Sequence, residues 1–243
     1  MPLQYRSACA THTGHVRSLN EDACCDNAAQ GLWCVADGMG GHDAGEVAAA
    51  MVVDVIAGLQ LQDDLAARID RVITAIQQVN HRLTTEMTIA GEDQVMGCTV
   101  VALIIVDDEC ACLWAGDSRL YLLRDDCLYQ MSRDHSVVED LIEQGVLQPE
   151  EAASHPQRHV ITRAVGVDDE LQLEQISFQL QDHDVLLLCS DGLYGELHPD
   201  AIMAILAQDM DSQVMAQELI QQTLAGEARD NVTVSVITVQ AHE

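Results

Sequence analysis

Between residues 98 and 124 the chain passes through three apolar, strand-forming segments with no helix-length stretch between them. CTVVALIIV (98–106) is a continuous apolar run of the kind covered on both faces, and CACLWAG (110–116) and RLYLLR (119–124) flank a polar Asp-Ser. A doubly wound parallel sheet would need a helix after each strand, so this region excludes it and points to antiparallel pairing. Two further strands are legible, DVLLLCS (184–190) and VTVSVITV (232–239), the second with Val232, Val234 and Val236 on one face.

Helices fall between these groups. Asp43 and Glu46 have the spacing of a capping box ahead of EVAAAMVVDVIAGL, which ends near Gly58. After Asp63-Asp64, the residues Leu65, Ile69, Val72, Ile76, Val79 and Leu83 recur at three and four, as on a long amphipathic helix. Ser136 and Glu139 open a short helix that stops at Gly145, and Val214, Leu219, Ile220 and Leu224 lie on one closed by Gly226. Strands, two helices, several strands, two helices and a strand predict an α+β fold. Its expected form is a four-layer α-β-β-α sandwich with two central antiparallel sheets flanked by helix pairs. No Ser/Gly tract divides the 243 residues, so a single domain, 1–243, is expected.

The formal charge of −29, with only 11 Lys and Arg, argues against nucleic acid or an anionic membrane as partner. The 9 cysteines include no C-x-x-C, so the usual zinc and redox spacings are absent. Cys34, Cys98, Cys112 and Cys189 sit inside apolar runs, as small buried hydrophobes. That usage fits a reducing compartment, and the N-terminal MPLQYRSACATHTGH lacks the apolar core of a signal peptide. The expectation is a cytoplasmic protein.

The acids share one kind of address. Asp37 follows LWCVA and precedes glycines in VADGMGGHDAGE (35–46); Asp117 follows CLWAG; Asp191 follows DVLLLC; Asp230 precedes the last strand; and Asn20-Glu21-Asp22 precedes an early one. A single acid at a strand end is ordinarily a turn residue or helix cap. Repetition across the chain, with glycines that let backbone oxygen approach, suits hard cations such as Mg²⁺ or Mn²⁺.

The ordered blocks RSLNED, VADGMGGHDAGE, GCTVV, AGDSR, CSDGL and ARDNVTV resemble the metal-dependent PPM (type 2C) Ser/Thr protein phosphatase family, in its short bacterial form. The resemblance runs from about residue 5 to residue 239 and implies the same layered sandwich. It implies that Asp37 bridges two metal ions, that the Gly38 carbonyl ligates one, and that Asp191 and Asp230 are direct ligands. Glu21 would meet the metals through water, Asp22 would orient the bridging water, and Asp117, together with Asp191, would serve a third, weaker ion. Arg17 matches the arginine that holds the substrate phosphate, for which a guanidinium fork is well shaped.

Where many eukaryotic members carry His after Asp-Gly, this chain has Met39, which cannot donate a proton; His42, at the end of the glycine cluster, or a metal-bound water would protonate the leaving group instead. Residues 133–166 occupy the place of the family's flap and carry Arg133, Arg158, Arg163, His155 and His159, with Arg163 the candidate substrate contact. The resemblance thus implies a monomeric hydrolase of phosphoserine and phosphothreonine in proteins, opposing a bacterial Ser/Thr kinase. Cell-wall synthesis, sigma-factor switching and type VI secretion are the pathways that bacterial relatives serve. A catalytically silent phosphoprotein-binding regulator is the alternative.

Overall fold

The computed structural model describes residues 3–40, 44–61, 64–87 and 96–241. Its strands are β1 (Leu3–His12), β2 (Asp22–Asn27), β3 (Leu32–Met39), β4 (Gly97–Cys98), β5 (Val100–Val106), β6 (Glu109–Ala115), β7 (Arg119–Arg124), β8 (Cys127–Gln130), β9 (Glu174–Gln179), β10 (Val185–Cys189) and β11 (Val232–Ala241). The α-helices are α1 (Ala44–Ala57), α2 (Leu65–Arg82), α3 (Val137–Glu143), α4 (Asp191–Tyr194), α5 (Pro199–Leu206) and α6 (Ser212–Leu224).

Every strand pair is antiparallel, as the crowding of strands between residues 98 and 124 demands. One sheet has the order β1-β11-β10-β7-β8; the other runs β2-β3-β5-β6-β9, with β4 added beside β3. Alternation along the strands creates separate cores. Leu103 of β5 and Leu186 of β10 face each other between the sheets. Ala102 and Ile104 of β5 turn instead to Ile56 of α1 and Ile76 of α2. On the far side, Val234 and Val236 of β11 pack with Ile202 of α5 and Leu219 of α6. The four-layer sandwich is therefore present.

Local signals act where they were read. Asp64 caps α2, its side chain accepting from Ala67 N at 2.9 Å. Ser136 caps α3 by accepting from Glu139 N at 3.3 Å, and Gly145 follows the helix with φ +69°. The capping-box residue Asp43 lies outside the described residues.

One feature departs from the expectation of reduced thiols: Cys9 of β1 and Cys24 of β2 form a disulfide, with Cα atoms 6.9 Å apart. These strands edge different sheets, so the bond ties the two sheets together. Cys34, Cys98, Cys112 and Cys189 are free and buried. No helix among the described residues is long and apolar enough to cross a membrane.

Candidate active site

The sandwich gathers the strand ends. Asp22 begins β2 and Asp37 lies two residues before the end of β3, and the two strands pair so that these acids lie directly opposite. Asp117 occupies the turn from β6 to β7, Asp191 opens α4 immediately after β10, and Asp230 stands two residues before β11. Glu21, Asp37, Gly38, Asp117, Asp191 and Asp230 line one cavity of about 870 Å³, with Arg17 at its rim. Asp22 lies behind that lining, buried.

Glycine is required here by close approach. A Cβ on Gly38 would stand 2.2 Å from Gly45 O and 2.5 Å from Glu21 O, so a side chain would force apart three segments that meet at the acids. Gly38 N donates to Glu21 O at 3.1 Å, locking that contact. Gly192 is as confined: its Cβ would meet Asn231 O at 1.9 Å.

A layer of uncharged groups supports the carboxylates. Ser190 Oγ donates to Asp22 Oδ2 at 2.7 Å and accepts from Thr233 N at 3.0 Å, bridging the two sheets. Thr99 Oγ1 accepts from Asp37 N at 3.1 Å and shares a 2.7 Å hydrogen bond with Ser118 Oγ. Asn231 is a hub: Oδ1 accepts from Glu21 N, and Nδ2 donates to Thr13 O and Leu19 O, fixing the loop that carries Arg17. Ser190 and Asn231 each adjoin a predicted acid in sequence, but only the fold shows that they join remote segments.

The acids are in electrostatic conflict. Burial, then repulsion from Asp22, Asp191, Asp117 and Asp230, raises Asp37 well above the usual carboxylate range. Burial pushes Asp22 up to about 7 despite hydrogen bonds from Ser190 and Thr233. Asp117 is pushed up to about 7 by burial and then by Asp191. Asp191 is raised by burial and Asp230, against a hydrogen bond with Asp37 and the charges of His159 and Arg17.

Divalent cations would remove that conflict, and the residues fit them. The donors are hard oxygens, and Asp22 Oδ1 is buried without a hydrogen-bond partner. Among the described residues no three His, Cys, Asp or Glu side chains are disposed to hold a metal ion by themselves, so water and the Gly38 carbonyl would have to complete the coordination. An open arrangement suits Mg²⁺ or Mn²⁺, which retain several waters.

The remaining sequence candidates divide. Arg17 reaches the site, its Nη2 donating to Asp230 Oδ2 at 2.6 Å. Arg163 does not line the cavity; its Nη1 meets His135 Nε2 at 3.2 Å, Gln172 O at 3.3 Å and Glu174 Oε1 at 3.5 Å. It braces the 133–166 segment against β9, and Arg158 and His159 line the cavity instead. His42 lies outside the described residues.

The family model described as Protein phosphatase 2C matches residues 6–141. The chain is 36% identical over 240 residues to the serine/threonine protein phosphatase PstP of Mycobacterium tuberculosis, matching 98% of itself but spanning 45% of that relative. It is 31% identical to the serine/threonine phosphatase stp of Listeria innocua, covering 93% of each. Among solved structures it superposes on PppA, a regulatory component of the type VI secretion system in Pseudomonas aeruginosa, with a TM-score of 0.90, 39% identity and 97% of each chain covered. The catalytic domain of PstP in complex with 2 manganese ions matches with a TM-score of 0.86 and 35% identity, over 98% of this chain and 100% of that one.

Proposed function

We infer the activity from one premise: the chain belongs to the protein phosphatase 2C family, and its site best supports metal-dependent hydrolysis of phosphoserine and phosphothreonine in proteins. The observation that carries this reading is the convergence of Glu21, Asp37, Asp117, Asp191 and Asp230 on one cavity with Arg17 at its rim. Asp37, Asp191, Asp230 and the Gly38 carbonyl would hold two core ions, Glu21 assisting through water, and Asp117 a third. When bound, the ions supply Lewis-acid polarisation of the phosphoryl oxygens and acidify the attacking water.

The protein's own groups do the rest. Asp22 is fixed through Oδ2 by Ser190, leaving Oδ1 to accept a hydrogen bond from the water that attacks phosphorus and so to orient it. Arg17, half-exposed on a loop tethered by Asn231, presents a fork to two phosphate oxygens. Residues 133–166 act as a flap beside the cavity, with Arg158 in the substrate-contact role expected of Arg163. The Cys9–Cys24 disulfide bears on neither role, since it lies between the sheets.

The protein is read as a monomeric, cytoplasmic phosphatase that reverses a cognate Ser/Thr kinase, and the likeness to PppA favours a type VI secretion system as the pathway it serves. The acidic surface, with formal charge −29, disfavours nucleic acid and anionic membranes as partners. The test is turnover of a phosphothreonine peptide by the wild-type protein in EDTA, Mg²⁺ and Mn²⁺. Turnover confined to the metal-containing samples is expected. Binding of the peptide without hydrolysis under every condition would replace the enzyme with a silent phosphoprotein-binding regulator.

A further inference from the structure

Hydrolysis of a phosphoserine or phosphothreonine expels an alkoxide, a poor leaving group that needs a proton. Met39 lines the cavity where a proton donor would be useful and has none to give. The cavity arginines, Arg17, Arg158 and Arg229, hold their protons too tightly to release them near neutral pH. Carboxylates engaged with cations are ionised and have no proton to offer. Glu196, which accepts from Glu227 N and Arg229 N, and Glu227, which pairs with Arg229, are already engaged as acceptors. Among the described side chains lining the cavity, that leaves the imidazole of His159.

Its placement is built. The backbone on one side of His159 is held by Val137 N donating to Val160 O at 2.9 Å and Thr162 N donating to His135 O at 2.8 Å, around an isolated Ser136–Ile161 bridge. On the other side Arg158 N donates to His155 O at 3.1 Å. The ring itself is exposed and has no hydrogen-bond partner among the described residues, so both nitrogens are free to meet a substrate. It lies near enough to the acids for its charge to act on Asp191.

We propose that His159 is the general acid for the departing Ser or Thr oxygen. The proposal rests on the phosphatase reading above. As a water oxygen bonds to phosphorus, the bond from phosphorus to the side-chain oxygen breaks and its electron pair goes to that oxygen. The oxygen takes an N–H proton from the His159 imidazolium and leaves as a neutral alcohol. The proton released by the attacking water reaches solvent, and the neutral imidazole takes one back. The sum is phosphate monoester plus water giving alcohol plus inorganic phosphate.

Proton donation to the leaving group contributes typically 10²–10⁴-fold, and only when that group needs a proton. The experiment compares wild type, His159→Gln and His42→Asn on a phosphothreonine peptide and on p-nitrophenyl phosphate, whose nitrophenolate departs unprotonated. For His159→Gln, kcat on the peptide is expected to fall by roughly 10²-fold, at least about tenfold more than on p-nitrophenyl phosphate. Mn²⁺ affinity measured by calorimetry, which also reports that the variant is folded, is expected to match wild type. Equal losses on both substrates, a loss confined to KM, or weakened Mn²⁺ binding would each overturn the assignment. So would the same leaving-group dependence appearing in His42→Asn instead. A wild-type protein inert toward both substrates would refute the phosphatase reading itself, a different failure.

Discussion

Replacing a metal-site acid by its neutral isostere should stabilise this protein when no divalent cation is bound. Asp117 is the case whose size can be worked out. Its carboxyl is raised from 3.8 to about 7, first by burial and then by Asp191. At pH 8 the folded protein must keep this group ionised against that shift, and at about 1.4 kcal/mol per pH unit the cost is about 4 kcal/mol as an upper bound. Side-chain relaxation and water in the cavity reduce it to roughly 1–3 kcal/mol. Because the folded-state value is the higher one, the folded protein keeps a proton that the unfolded chain loses as pH rises from about 4 to about 7. The stability contributed at low pH is therefore lost through that window, and Asp117→Asn, which cannot ionise, does not lose it. Urea unfolding in EDTA should find the two proteins alike at pH 4 and the variant more stable at pH 8, and a thermal melt at pH 8 should place its Tm higher by roughly 2–4 °C per kcal/mol. The exposed Asp209→Asn removes the same formal charge and controls for the general acidity of the chain, with an expected change within about 0.5 kcal/mol. An Asp117→Asn variant no more stable than wild type at pH 8 would refute the idea that these acids are in conflict.

Other outcomes follow from the same geometry. Ser190→Ala removes the bond that fixes Asp22 and leaves Thr233 N unpartnered; a loss of about 1–3 kcal/mol in urea unfolding is expected, with kcat falling more than KM rises. Gly192→Ala forces a Cβ against Asn231 O and should cost roughly 1–3 kcal/mol or more, with turnover reduced because Asp191 and Asp230 shift apart. Thiol titration in denaturant should count two more cysteines after reduction, and Cys9→Ser should lower stability by about 3 kcal/mol, the loop-closure value for a 15-residue separation.

What could be read from the chain was set by how local the information was. Continuous apolar runs such as β5 and β10, bounded by polar residues, identify themselves, and the lack of a helix between β5 and β7 decides the antiparallel arrangement. β9, with sequence EQISFQ, escaped notice because an edge strand half in water is largely polar, its apolar residues confined to Ile176 and Phe178. β1 escaped for the same reason, although its burial alternates along much of its length. The acids were legible through their recurrence at strand ends. Their pairing was not, because the register that sets Asp22 opposite Asp37 arises from strand geometry. Arg163 shows the limit: a guanidinium close in sequence to the cavity residues turns toward Glu174 once β9 is in place, and the residues that face the acids are its neighbours Arg158 and His159.

The central claim, that the strand-end acids form a cation site on which turnover depends, is tested most directly at Asp37. Mn²⁺ titration calorimetry and phosphothreonine-peptide hydrolysis should be run side by side on wild type and Asp37→Asn. The wild-type protein is expected to bind at least two Mn²⁺ ions, and Asp37→Asn to stay folded but lose both the tight binding and the turnover. A variant that hydrolyses the peptide at the wild-type rate, or a wild type whose turnover is indifferent to EDTA, would contradict the claim.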